Sequence, residues 1–205
     1  MSTPATRRAR GLCTAFDGPR RLAHGALAEV VAAAKSAFDR SPRASLLIFE
    51  DATGDLIDVD YSGTPDDVLT LVAARELRRV RLTDDPDAAP RGPGRPRLGV
   101  VAREVTLLPR HWQWLNGQPG GASVALRRLV DEARRANVGR DRVRRAQEVS
   151  YRFMSALAGD LPGFEEAIRA LFAGNAARFD AHTRAWPPDV RTYARQLAAP
   201  ALGEP

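Results

Sequence analysis

Cysteine is nearly absent from this chain: Cys13 stands alone in 205 residues. No internal disulfide can form, which agrees with a reducing compartment. Its place in the apolar run Leu12 to Phe16 marks it as a small buried hydrophobe rather than a nucleophile. Histidine is scarce as well. The three residues His24, His111 and His182 fall in three different segments and make no H-x-x-x-H pair. The sequence has no P-loop, no complete G-x-G-x-x-G, no G-x-S-x-G and no C-x-x-C. These absences argue against an enzyme, and no catalytic residue, metal or cofactor is assigned. No run of about 18 apolar residues could span a bilayer, and the leading MSTPATRRARG has no apolar signal core. A cytoplasmic protein with no membrane partner is expected.

With 44% hydrophobic residues, the chain can bury a real core. Residues 1–82 read as a small antiparallel α+β domain, in the order ββαββα with helices on one face of the sheet. Leu12 to Phe16 predicts a strand, Asp17-Gly18 a tight turn and Arg20 to His24 a return strand. Leu27, Val30, Val31, Ala34 and Phe38 recur at helical spacing, predicting a helix from Ala26 to about Phe38. Ser45 to Glu50 and Leu56 to Tyr61 read as the clearest hairpin of the chain. Thr64-Pro65-Asp66-Asp67 is a helix start, with a Thr cap, Pro at the first helical position and acids in the first turn. That helix should reach about Val80 and bury Val68, Leu71, Val72 and Leu77. The acids Glu50, Asp51, Asp55, Asp58 and Asp60 crowd the hairpin without His or Cys at ligand spacing, so they read as a solvated strand face rather than a metal site.

Charge is distributed unevenly. Residues 1–90 carry 12 Lys+Arg against 14 Asp+Glu, residues 91–150 carry 13 against 5, and residues 151–205 carry 6 against 6. The regional balances of −2, +8 and 0 give the net +6. A positive field concentrated on one segment steers polyanions toward it, and nucleic acid is the usual partner. All basic residues except Lys35 are arginine, a bias that explains arginine in place of lysine but not the clustering. Residues 83–97 form a basic Gly/Pro linker. Within it, Gly94-Arg95-Pro96-Arg97 resembles the core of the minor-groove AT-hook, although Pro93 stands where a full hook has arginine.

Beyond the linker, residues 98–137 read as one strand and two helices. Pro109 cannot donate a ladder hydrogen bond but suits a first helical position, so AREVTLL should end as strand where PRHWQWL begins as helix. Trp112 and Leu115 can share one face of that helix, and Gly117, Pro119, Gly120 and Gly121 break it. Ser123 is the expected cap of a second helix, on which Leu126, Leu129, Val130 and Ala133 fall at i, i+3, i+4 and i+7. Arg127, Arg128, Asp131, Arg134 and Arg135 fill its outer face. One strand beside two short helices leaves its edges unpaired, and pairing with the same strand of a second chain would solve that.

These residues resemble the ribbon-helix-helix superfamily of bacterial repressors and antitoxins over positions 94–136, including its GRP lead-in. More broadly, REVTLLPRHWQWL, QPGGASVALRRLVDEAR, YRFMSALAGDLPGFEEAIRALFAG and WPPDVR look like an uncharacterised bacterial family known as a domain of unknown function. The superfamily resemblance implies a dimer whose strands read bases in the major groove. It also implies that backbone amides near Gly121, Ala122 and Ser123 hold phosphate.

The strand departs from that pattern. One face carries Arg103, Val105 and Leu107, and the other Glu104, Thr106 and Leu108, so neither offers three polar base readers. Superfamily spacing would turn Val105 and Leu107 toward DNA, whereas polarity turns them inward, and a core built around Glu104 instead is costly. The expected DNA contacts are Arg95, Arg97, Arg103, Thr106, Arg110, Gly121, Ser123, Arg127 and Arg128, mostly to phosphate and therefore salt-dependent. The expected dimer core is Val105, Leu107, Trp112, Leu115, Leu126, Leu129 and Val130. The alternative is a homodimeric interaction protein that keeps the module without binding DNA.

Residues 138–205 read as a helical C-terminal region. Val143, Ala146, Val149, Phe153 and Leu157 trace one stripe stopped by Gly159, and Phe164, Ile168, Leu171 and Phe172 a second ended by Gly174. Phe179 and Trp186 anchor a shorter stretch, and Val190 to Leu197 a last turn or two. Such stripes are ordinarily core or helix packing; the alternative is that Tyr151, Phe153, Phe164 and Trp186 are exposed and form a partner groove. A protein partner or small effector could engage the N-terminal or C-terminal region.

Overall fold

The computed structural model describes residues 11–83 and 104–203, with side chains of 79–83 left aside. Residues 84–103, which hold all of the linker but Thr83 together with Arg95, Arg97 and Arg103, lie outside the described residues. The chain is α+β and forms two compact units, one of Met1–Pro86 with Arg142–Pro205 and one of Asp87–Asp141.

The first unit is built on a three-stranded antiparallel sheet, β1 (Cys13–Asp17), β2 (Arg20–Gly25) and β3 (Leu46–Glu50), in the order β2-β1-β3. The central strand pairs Thr14 with His24 on one side and with Phe49 on the other. A register shift between Ala15 and Phe16 puts Ala15 opposite Ala23 but Phe16 opposite Arg21, which leaves Leu22 as the extra residue of a bulge. Between β2 and β3 runs α1 (Leu27–Arg40), which buries Leu27, Val30, Val31 and Ala34 against Cys13, Ala15 and Ile48. The expected second hairpin is not made. Leu56 forms a single bridge to Phe49, Ile57 N–H donates to the Ile48 carbonyl at 2.8 Å, and the chain then leaves the sheet. Ile57, Val59 and Tyr61 pack instead on the core under α1, and Tyr61 stacks on Phe38 with ring centroids 5.5 Å apart.

α2 (Pro65–Thr83) starts as the sequence predicts. Asp67 N–H donates to Thr64 Oγ1 at 3.3 Å and Thr64 N–H donates back to Asp67 Oδ2 at 2.9 Å, a reciprocal cap. The Thr64 hydroxyl and amide hold the Asp67 carboxyl below the usual carboxylate range. Val68 is buried, but Leu71 and Leu77 are exposed, so α2 presents less of its stripe to the core than the spacing implies.

The second face of the sheet is covered, contrary to the expectation of helices on one face only. The latter part of α4 (Gly121–Leu157), together with α5 (Phe164–Phe172), α6 (Ala176–Thr183) and α7 (Pro188–Ala198), closes over Phe16 and Phe49. Phe153 lies 5.4 Å from Phe16, 5.0 Å from Phe49 and 4.7 Å from Tyr193, an aromatic cluster with mostly edge-on contacts. Phe153 and Trp186 are core, as the helical stripe reading implies, and not part of the alternative groove; Trp186 donates its indole N–H to the Pro162 carbonyl at 2.9 Å. Tyr151 and Phe172 are the exposed pair, packed edge to face. Two glycines are structurally required. A Cβ on Gly54 (φ +70°) would stand 2.7 Å from the Val149 carbonyl oxygen, and one on Gly163 (φ +79°) 2.7 Å from that of His182.

The second unit holds α3 (Pro109–Asn116) and the first part of α4. Residues 104–108, expected to close a strand, carry none. Leu108 instead leads extended (φ −65°, ψ 150°) into Pro109 at the start of α3. Gly121 rather than Ser123 opens α4, and the helix runs unbroken for 37 residues through Gly139.

Candidate nucleic-acid interface

The basic island of the sequence becomes an exposed helical surface in the second unit. From Ser123 to Arg140, Ala125 is the only buried position. Arg127 and Arg128 recur as Arg134 and Arg135 seven residues on, which stacks the two pairs on one helix face two turns apart. Arg127 Nε donates to the Ser123 carbonyl and Arg135 Nε to the Asp131 carbonyl, both at 3.1 Å. A guanidinium has five donors, so each of these keeps others for an anion. Arg128 lies 3.8 Å from Glu132 and Arg134 lies 3.9 Å from Asp131, exposed pairs that water and salt compete with easily. Asp131, Arg134, Arg135 and Val138 line a shallow open depression on this side.

The other expected contacts are placed less uniformly. Thr106, Arg110 and Ser123 are exposed, Thr106 in the extended lead-in, Arg110 in the first turn of α3 and Ser123 in that of α4. Gly121 has φ +76°, and its amide already donates to the Gln118 carbonyl at 2.9 Å, so that N–H is engaged within the chain. Helix geometry leaves the amides of Ala122 and Ser123 for an outside acceptor. Of the expected dimer core, Leu115 is buried within the single chain, Leu107 and Leu126 are half-buried, and Val105, Trp112, Leu129 and Val130 are exposed.

The first unit contains a hydrogen-bonded cluster that spacing did not suggest. Asp51 follows β3, and its Oδ1 accepts from Tyr193 Oη at 2.6 Å and from Thr14 Oγ1 at 2.9 Å. His24 Nδ1 stands 3.2 Å from Asp51 Oδ2 and 3.0 Å from Thr14 Oγ1. With the Thr14 proton given to Asp51, this network suits the tautomer that carries its proton on Nδ1. Burial, and then the bond to Asp51, raise the Tyr193 hydroxyl well above the usual phenol range, so it stays a donor. Such a carboxylate orients an imidazole. The arrangement works as a tether joining β1, β2, the turn after β3 and α7. Asp51 is thus no member of a solvated acidic face. Asp55, Asp58 and Asp60 are exposed, and Asp55 accepts from Arg152 Nη1 at 2.6 Å. Among the described residues no His, Cys, Asp and Glu group could hold a metal ion, and no helix is long and apolar enough to cross a membrane.

The model of a family described as an uncharacterised protein conserved in bacteria, DUF2239, matches residues 12–198. The chain belongs to that family. No curated protein and no solved structure matches it. The DUF2239 match runs from β1 to the end of α7 and includes the basic helix as well as the Asp51 cluster. The ribbon-helix-helix resemblance of residues 94–136 is not shown by these matches.

Proposed function

We propose that this DUF2239 protein binds double-stranded DNA as a homodimer and acts in transcriptional regulation, with arginine contacts to phosphate supplying most of the affinity. The observation that carries this reading is the exposed repeat Arg127, Arg128, Arg134 and Arg135 on α4. Arg110, on α3, is exposed as well, and Arg95, Arg97 and Arg103 add charge from the sequence ahead of it. Each phosphate neutralised contributes a slope of about −0.9 to the dependence of log K on log salt for duplex DNA. Replacing the four α4 arginines by glutamine should therefore flatten that slope by about three to four and weaken all duplexes alike. No binding to any duplex at low salt, or an unchanged salt slope in the variant, overturns the reading.

A second reading is a homodimeric interaction or scaffold protein without DNA binding. The exposed apolar side chains Val105, Leu108, Trp112, Trp114, Leu129 and Val130 favour it. A dimer that ignores DNA at every salt concentration is its signature. In either reading the first unit is where a protein partner or small effector would act.

A further inference from the structure

We infer that a second copy of this chain docks along the first part of α4, antiparallel to it. The inference rests on the dimeric half of the proposed function and is independent of DNA. Ala122, Leu126, Leu129, Ala133 and Ala136 recur at alternating intervals of four and three residues, the narrow seam of a two-stranded coiled coil. Leu126 is half-buried, Leu129 is 38% exposed, and Ala133 and Ala136 are exposed, although only Leu115 and Ala125 are buried among the described residues of this unit. An amphipathic helix with its apolar stripe in water lacks the packing that stabilises most protein helices.

The pattern along the seam selects the occupant. Reversing a second copy about the midpoint between Leu129 and Ala133 sets Leu126 against its Ala136 and Leu129 against its Ala133, so every large side chain meets a small one. A parallel copy would set leucine on leucine and leave gaps between alanines, which costs packing. The antiparallel arrangement closes by a two-fold axis, the commonest symmetry of soluble oligomers. Charge agrees. Ser123, Ala125, Val130, Asn137 and Gly139 flank the seam without charge, and Glu132 is the one charged flanking residue, 3.8 Å from Arg128 in an exposed pair. Arg127, Arg128, Arg134 and Arg135 point away from it, so two such helices can approach without apposing their arginines, and the dimer presents twice the basic surface.

The test is sedimentation of the full chain over a concentration series. Wild type should dimerise, and Leu129→Asp with Ala133→Asp should raise the dissociation constant by about a hundredfold or more, since each charge would enter the interface unpaired. Val138→Asp, on an exposed residue of the opposite face, should leave it unchanged. Circular dichroism checks that the variants fold. In a second arm, chains carrying Leu129→Cys and Ala133→Cys are mixed and oxidised, and the disulfide should form chiefly between unlike chains. A monomer at every concentration, wild-type dimerisation by the double aspartate variant, or cross-linking only between like chains overturns the inference. A seam dimer that binds no duplex removes the DNA reading and keeps this one, and a monomer that binds DNA does the reverse.

Discussion

The two units divide the chemistry of the chain between them. In the first, a sheet buried on both faces joins two cores, and the aromatic cluster of Phe16, Phe49, Phe153 and Tyr193 lies beside a fully engaged carboxylate, Asp51. In the second, among described residues, two side chains are buried while Trp112, Trp114, Leu108, Leu129, the valines and the arginines face water. Internal packing completes the first unit. The second has its apolar and basic residues sorted onto separate helix faces, an arrangement that is stabilising only when something outside the single chain contacts them.

The contrast breaks most visibly under core truncation. Phe153→Ala should cost about 3–5 kcal/mol, enough to unfold much of the protein in a denaturant titration. Leu129→Ala, measured where the chain is monomeric, should stay within about 0.5 kcal/mol of wild type. Comparable losses for the two would erase the distinction between the units.

The Asp51 tether gives the next largest effect. Asp51→Ala strands the Thr14 and Tyr193 hydroxyls and should cost about 1–3 kcal/mol for each donor left unsatisfied. Tyr193→Phe removes one donor together with its bond and should cost about 1 kcal/mol. Thermal unfolding of both variants checks the ranking, and a more damaging Tyr193→Phe would contradict the tether.

Smaller, and of opposite sign, is Gly139→Ala. Gly139 is helical, and an added Cβ meets nothing within 4 Å, so the substitution should stabilise α4 by about 0.5–1 kcal/mol. Slower amide exchange around residue 139 is the measurement that sharpens this point.

The subtlest test is alkaline. Burial first, then the charge of Asp58, push the Tyr61 hydroxyl up from 10.0 to about 12. The folded state then binds more protons than the unfolded chain between those values, so this contribution is full below pH 10 and is lost as pH rises through about 12. An ultraviolet titration should show Tyr61 ionising late, and a Tyr61→Phe variant should lose less stability across that window.

Local signals were legible wherever chemistry acts over a few residues. Thr64-Pro65-Asp66-Asp67 capped α2, Pro109 opened α3, and Gly159 and Gly174 followed the ends of α4 and α5. The stripe through Ala146, Val149 and Phe153 faces the core as its spacing implied. Legibility failed where distant segments compete. Leu56 to Tyr61 alternates like a strand, yet packing under α1 draws it from the sheet after one bridge. Asp51 looked like one acid among several because its partners stand at positions 14, 24 and 193. The strand register alone would have paired Thr14 with His24, but no spacing reaches Tyr193.

The sequence by itself determined the α+β class, most helix starts and stops, and the basic segment, because caps, glycines, periodicity and charge are local properties. Tertiary structure alone decided that the C-terminal helices share a core with the N-terminal sheet, that Asp51 binds three elements together, and that α4 is one helix with an exposed apolar seam. Those outcomes depend on which surfaces meet, and burial and hydrogen bonding between residues far apart in the chain leave no fixed interval to read.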